Sequence, residues 1–504
     1  MSLLPLLLQS EALPSFAQPE IIGVAAFYFA VCAAIAWWAV KRTRTVDDFF
    51  VAGKGIGLWT LAIGAMASTL SGFGFIGGPG LVYSVGIGAV FLVLPASITN
   101  SLSGWVLAKR IRLLGEVRDL ITVPDAIGAR YRSRAVQGLA AVAILIATIG
   151  YTATNFLALG LIIDAVFHSG LSRGIWIGAG LILAYSAPGG ILAGIYTDVF
   201  QGTIKAVASS LVFLTALRTG GGMRHISETI LAADPAWIGP FGKLPPLAAL
   251  SFFFVFGLGA LGQPHVIHKF YMLKDVRKLR WYPLLMTGAL LLALLLYVGV
   301  GLAMKAAVVR GDLPPLARAD DATPQFLLRF ASPLLAGIVF SGVTAAIMSA
   351  VNSFLSIGAA AVTHDLPIAF GRKFPNELQV GRLSTVALTL LAALLALKSG
   401  VLVVLLGVFG WGLFASTLVP SLAIGLCWPG ATRAGAMSSI LVGLVMTLVS
   451  ETAVWSGAYS FPAGVTASGL SLTLSLLTFF GISWITRHQA AVDLDPDIRL
   501  VMEA

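Results

Sequence analysis

The chain has 504 residues, 58% of them hydrophobic and only 11% charged, with a formal net charge of +10. This composition excludes an ordinary soluble enzyme and describes a protein that crosses a membrane many times. The positive charge sits in short clusters between apolar runs, which argues against nucleic acid as a partner. The two cysteines, Cys32 and Cys427, fall in apolar segments and suggest neither a disulfide framework nor a thiolate metal site.

Residues 1–20 hold a short apolar run with no positive residue before it, so they read as an extracytoplasmic tail rather than a cleaved signal peptide. Thirteen candidate spans follow, near 21–41, 57–82, 86–107, 135–167, 173–192, 196–218, 246–270, 281–305, 333–361, 383–398, 401–427, 434–452 and 463–486. With the N-terminus outside, 22 of the 32 Lys and Arg residues lie on the inner side, nine lie outside, and Lys205 lies within a span. The positive-inside rule therefore puts the C-terminal tail, 487–504, in the cytoplasm with no soluble domain expected there.

The span 57–82 contains AMASTLSGFGFIGGPG, Ala65 to Gly80, with five glycines, three hydroxyl residues and a proline. In a helix each glycine costs roughly 1 kcal/mol against alanine and a proline about 3 kcal/mol. Lipid satisfies no freed N–H or C=O, so such a stretch predicts a helix broken where it lines a cavity, as in secondary transporters. Close packing of small residues is the alternative. A second interrupted stretch, FGLGALGQPH at Phe256 to His265, occupies the matching place of the chain's other half. The stretch 111–134 is amphipathic and basic, as expected of a helix on the inner leaflet. Residues 219–245 and 306–332 read as long outer loops, either small lids over a vestibule or plain connectors.

These elements predict an all-α polytopic membrane protein of 13 transmembrane helices. Its core is a 5+5 inverted repeat whose first and sixth helices are discontinuous. The expected divisions are a peripheral helix and inner loop at 21–46, a first repeat at 47–218, the outer loop 219–245, a second repeat at 246–427, and two peripheral helices at 428–486. Breaks are expected near Ser68–Gly72 and Gly257–Gly262.

Several motifs resemble the sodium/solute symporter family, which includes sodium/proline and sodium/galactose transporters. They are DFFVAGKGIG, ASTLSGFGFIGGPG, GGILAGIYTDVFQG at 189–202, GLGALGQPH at 257–265, AAIMSAVNSFLSIGAAAVTHDL at 345–366 and PGATRAGAMSSILVG at 429–443. They occur in the family's order and spacing from Asp47 to Ser450. The resemblance implies a leucine-transporter-like fold and alternating access driven by a cation gradient.

Carried over by position, the family's principal sodium site takes backbone carbonyls from Ala67, Leu70 and Ala346 and a hydroxyl from Ser349. The family's next ligand is a second hydroxyl, and here that position is Ala350. Thr69 stands where otherwise similar proline transporters carry an aspartate. Asp198 matches a family acid that in some members forms a second cation position, with partners here at Ser349, Asn352 and Ser353; capping a helix end is its alternative. Lys205 follows Asp198 by seven positions, which puts it on the same helix face about 10 Å deeper. An intramembrane lysine is costly and faces a cavity, a partner or the nearer surface. Either it snorkels inward beside Asp198, or its ammonium occupies the cation site that Ala350 weakens and loads and releases a proton there.

Solute contacts are expected at the two breaks, from Ser68 and Ser71 on one side and Phe256, Ala260, Gln263 and Pro264 on the other. Proline-specific members carry Trp and Tyr where this chain has Phe256 and Ala260, which counts against proline itself. His265 is a candidate proton carrier beside a structural proline, and Trp411 a candidate outer gate or plain core aromatic. The expected function is cation-coupled import of a small organic solute, such as an amino acid or small carboxylate, across the plasma (bacterial inner) membrane. The coupling ion is Na⁺ or H⁺, without an organic cofactor and without catalysis. The rival is a transporter-like nutrient sensor acting through a separate protein partner, which the sequence does not identify. A channel is disfavoured because no ring of charges or repeated filter is present.

Overall fold

The computed structural model describes residues 19–69, 71–399, 403–462, 464–490 and 494–503, so the expected N-terminal tail and Leu70 lie outside the described residues. Among them, eleven helices are long and apolar enough to cross a membrane, and two shorter apolar helices, Leu58–Thr69 and Leu171–Ala184, accompany them. The main helices are α1 (Pro19–Arg42), α2 (Leu58–Thr69), α3 (Gly78–Val85), α4 (Val90–Ser103), α5 (Arg134–Phe167), α6 (Leu171–Thr219) and α7 (Pro246–Gly259). They continue with α8 (Pro264–Ile267), α9 (Tyr282–Arg310), α10 (Pro333–Ala360), α11 (Glu377–Lys398), α12 (Val403–Leu418), α13 (Arg433–Trp455) and α14 (Ala467–Ile485).

Hydroxyl caps start several of these helices. Ser133 accepts from Val136 N, Thr432 from Gly435 N and Thr466 from Gly469 N, each satisfying one of the orphan donors of a first turn. The apolar spans of α5, α10 and α12 are 78, 83 and 94% buried, whereas that of α1 is 22% buried. The first three form the protein's interior, and α1 faces outward.

The spans expected at 173–192 and 196–218 meet in one element, α6, with no connecting loop. The chain turns instead at Gly190, whose φ of 54° and ψ of −148° leave helical geometry. A Cβ there would stand 2.5 Å from Phe49 Cδ2 and 2.6 Å from Phe49 O. The DFFVAG motif thus buries a phenylalanine in the corner that the glycine makes. Gly190→Ala is expected to destabilise the fold by about 1–3 kcal/mol through strain and overlap. Gly180→Ala, at an exposed position with nothing within 4 Å, is expected to leave thermal unfolding in detergent unchanged. Equal melting of the two variants would refute this role for the corner.

Much of the stretch 111–134 is buried in the protein. It forms helices Lys109–Val117 and Val123–Arg130, with Ile111, Arg112, Leu114, Val123, Ile127 and Arg130 buried. Arg112 donates to the Leu273 carbonyl, and Arg130 donates to Gly425 O (2.6 Å) and Trp428 O (3.1 Å). The guanidinium groups satisfy carbonyls where other elements end, a task their forked donors suit. A basic amphipathic pattern cannot distinguish this use from lipid headgroups.

Residues 219–245 and 306–332 both pack on the broken-helix region. Lys243 N donates to Val85 O at the end of α3 (2.7 Å). Thr323 Oγ1 donates to Phe75 O (2.8 Å), and Asp320 Oδ2 accepts from Val403 N at the start of α12 (2.9 Å). The segment 306–332 therefore ties the C-terminal limb of the first broken helix to α12.

Candidate cation and solute site

The first break falls within the expected Ser68–Gly72. Helix α2 runs through Thr69, and its last turn carries hydroxyls bonded back to the helix, Ser68 Oγ donating to Gly64 O and Ala65 O and Thr69 Oγ1 to Ala65 O (2.9 Å), which compete with the backbone ladder. The chain is non-helical at Ser71 and resumes as a π-helical turn, Phe73–Gly77, that leads into α3. The N–H of Gly72, freed by the break, donates to Asn155 Oδ1 of α5 (2.9 Å). Asn155 is fixed in turn by its own bond to Tyr151 O (2.9 Å). Sequence reasoning passes over Asn155; its signal is an amide at mid-depth of an apolar helix.

The second break is centred beyond the expected Gly257–Gly262. Helix α7 tightens into a 3₁₀ turn at Ala260–Gly262, and Gln263 is extended at φ −82°, ψ 102°. Pro264 fixes this point, since proline clashes with a helical residue before it yet opens a helix readily. Gln263 Nε2 donates to Gly259 O (2.9 Å), and its Oε1 has no hydrogen bond among the described residues.

Lys205 points to the first break. It is wholly buried, and its Nζ donates to the Ala67 carbonyl, one of the oxygens assigned to the cation site. Helix α10 packs along α6 here: a Cβ on Gly342 would meet Ala208 Cβ at 3.0 Å, and one on Gly72 would meet Ile347 Cγ1 at 2.9 Å. Ala346, Ser349 and Ala350 are buried on α10, and the Ser349 hydroxyl has no hydrogen bond among the described residues. Further along, Asn352 Nδ2 approaches Gly190 O (3.4 Å), and Ser353 Oγ is buried with no hydrogen bond among the described residues.

Asp198 is not a helix-end cap. Its Oδ2 accepts from Lys269 Nζ at 2.7 Å, with both side chains 1% exposed. The same ammonium donates to Gly64 O of α2 (2.8 Å). Asp198 Oδ1 has no hydrogen bond among the described residues. Lys269 is a residue the sequence reading misses, because it stands at the C-terminal end of an apolar span where a surface lysine is the ordinary expectation. A backbone bridge reinforces the contact: Ile56 N donates to Met272 O and Lys274 N to Ile56 O, both at 2.8 Å. The N-terminal limb of the first broken helix and the C-terminal limb of the second are thereby joined, and the ion pair fastens them to α6.

Between the breaks lies a small cavity of about 30 Å³, lined by Thr69, Phe73, Leu92, Ala96, Ser97, Tyr151, Phe256, Leu290, Tyr297 and Trp411. That volume suits a water molecule or two rather than a metabolite. Phe73, Phe256 and Trp411 fill it as a stack, with ring centroids 5.9 and 5.1 Å apart. Of the residues expected to touch solute, Phe256 lines this cavity. Ser68 is turned onto its own helix, and Ser71, Ala260, Gln263 and Pro264 are buried in the adjoining breaks. His265 is packed beside Phe354 and Tyr151, at centroid distances of 4.5 and 6.5 Å.

Comparison with known proteins gives a consistent result. The osmoregulated proline transporter of Bacillus subtilis (strain 168) is 29% identical over 493 residues, covering 94% of this chain and 96% of its own. The sodium/pantothenate symporter of Escherichia coli (strain K12) is 27% identical over 445 residues, covering 86% and 91%. A Na⁺-coupled sialic acid symporter, solved in a substrate-bound outward-open state, shares the fold with a TM-score of 0.75 at 17% identity over 92% of this chain and 98% of that one. The sodium:solute symporter family model matches residues 49–443, and the chain belongs to that family.

Proposed function

We propose that this protein is a cation-coupled secondary transporter that brings a small organic solute into the cell by alternating access. The architecture we propose for it is two inverted repeats, 47–218 and 246–427, within 13 spans, with the N-terminus outside and the C-terminus cytoplasmic. Family membership supports transport, and the names of the relatives support Na⁺ as coupling ion and amino acids or carboxylates as solutes.

One observation favours a proton over sodium at the first break: the Lys205 ammonium is bonded to the Ala67 carbonyl. A tethered cation there repels a free one. Two unit charges 4 Å apart at an effective dielectric of 20 cost about 4 kcal/mol. That corresponds to about a thousandfold loss of Na⁺ affinity. The loss of a hydroxyl at Ala350 and of an acid at Thr69 points the same way. Lysine, unlike arginine, can then give up and regain a proton as the site opens to either side.

The test is uptake into proteoliposomes under a proton gradient alone and a sodium gradient alone. Uptake with protons alone supports the tethered-cation reading; uptake with sodium alone returns the site to ordinary sodium coupling. No uptake under either gradient, with solute binding intact, would favour a sensor. Ser349→Ala is expected to cut uptake at least tenfold with thermal stability unchanged, since its hydroxyl bonds to nothing else described. Unchanged kinetics in that variant would remove Ser349 from the site.

A further inference from the structure

Helix α1 lies at the edge of the protein, and a groove runs along the side of it that meets α6 and α10. Two cavities compose the groove, about 350 and 430 Å³ in volume, and Phe29 and Leu181 line both. The larger lies between Ala33 and Ala36 of α1, Leu181 and Ala184 of α6, and Met348 of α10. No Asp, Glu, Lys or Arg lines it. Ala33, Trp37 and Ala184 are exposed, so the groove opens to the surroundings, and Met348, 2% exposed, closes its floor. The width comes from the sequence, because alanine at Ala33, Ala36 and Ala184 leaves a gap that a larger side chain would fill. An apolar gap left empty forfeits dispersion contacts on one side, so an apolar occupant is favoured there.

The dimensions identify the occupant. From Phe29 to Val40 the cavity follows α1 for about 16 Å at 1.5 Å per residue. That matches half of a hydrocarbon core about 30 Å thick. The shared residues Phe29 and Leu181 therefore fall near mid-bilayer, where acyl chains end. Spread over that length, 430 Å³ gives a cross-section of roughly 25–30 Å², a quarter to a third of that of an α-helix about 10–12 Å across. An extended hydrocarbon chain fits this space, and a helix from a partner or a second copy does not.

The Val40 end of the groove carries charge. Lys41 and Arg42 follow directly and are exposed, Lys41 Nζ 3.4 Å from the Trp37 ring centroid and Arg42 Cζ 4.4 Å from that of Trp38. No carboxylate pairs with either cation among the described residues. Of the acids that follow, Asp48 is occupied as a cap by the N–H groups of Arg44 and Thr45, and Asp47 is exposed. Trp38 also meets Tyr196 edge-on at 5.0 Å, so three amphipathic rings mark the headgroup level. The opposite end of α1 has Glu20 and no cation. We propose that this groove binds an anionic phospholipid, one acyl chain lying between Phe29 and Val40 and the phosphate held by Lys41 and Arg42. The site is separate from the two helix breaks and does not depend on the transport reading.

Binding to the purified full chain in detergent is measured by native mass spectrometry and thermal shift, with phosphatidylglycerol and phosphatidylcholine of identical chains. Phosphatidylglycerol is expected to bind about thirtyfold more tightly at low ionic strength, the effect of two cations near an anionic headgroup, and the preference should shrink as salt rises. Lys41→Gln/Arg42→Gln is expected to abolish the preference and leave phosphatidylcholine binding unchanged. Dihexanoylphosphatidylglycerol, with the same headgroup on short chains, should bind at least tenfold more weakly. Ala33→Trp, which fills the groove, should weaken both long-chain lipids at least tenfold. The lipid-free melting temperature reports whether that variant is folded, and Ala184→Trp blocks the opposite wall should it not be. Equal affinity for the two headgroups, inorganic phosphate binding as tightly as the long-chain lipid, or unchanged affinity in a folded groove variant would each overturn the inference. So would a dimer that dissociates in Ala33→Trp, since that would seat a second copy in the groove.

Discussion

Lys269→Met is expected to lower uptake at least tenfold and to destabilise the protein, because it leaves Asp198 charged, buried and unpaired. Breaking one side of a buried pair costs about 3–5 kcal/mol, whereas replacing both partners with neutral groups is close to neutral. Asp198→Asn alone should therefore be as damaging, and the double variant Asp198→Asn/Lys269→Met should recover most of the lost thermal stability. The ion pair also fastens the joined limbs of the two broken helices to α6. In the double variant those limbs lose that tie, so the inner side should open more often. With Cys32 and Cys427 replaced by serine, a Ser68→Cys reporter on α2 should react faster with maleimide from the inner side in the double variant. Equal labelling rates would show that the pair stabilises the fold without acting as a latch.

Lys205→Ala is expected to abolish uptake driven by a proton gradient, a fall of about a hundredfold or more. Lys205→Arg should not rescue it, because guanidinium fits the donor position but does not release its proton. The alanine variant also removes the charge at the Ala67 carbonyl, so Na⁺ binding should strengthen by up to about a thousandfold, the converse of the repulsion argued above. The measurement is a Na⁺-dependent thermal shift in Lys205→Ala against the unmodified protein. A wild-type protein that already binds Na⁺ tightly, with no gain in the variant, would show that Lys205 and sodium occupy different places.

The sequence alone determines the membrane class, the family and the places where helices must break. Each rests on a local property: hydropathy over a span, motif spacing, and the density of Gly, Ser and Pro in Ala65–Gly80 and Phe256–His265. It also singles out Lys205, because an ammonium inside an apolar run is too costly to lack a purpose. The first break falls where the sequence puts it, whereas the second is centred just beyond the expected stretch, since Pro264 decides where helical bonding stops. Tertiary structure decides the partners. That Asp198 pairs with Lys269, 71 positions away, depends on how the second broken helix lies against the first, which no local pattern encodes. Likewise Asn155 reaches Gly72 across 83 positions. The basic stretch 111–134 turns inward because carbonyl ends of distant elements need its arginines. A charge's cost in the membrane can be read from sequence, but what meets that cost is fixed only when the helices pack.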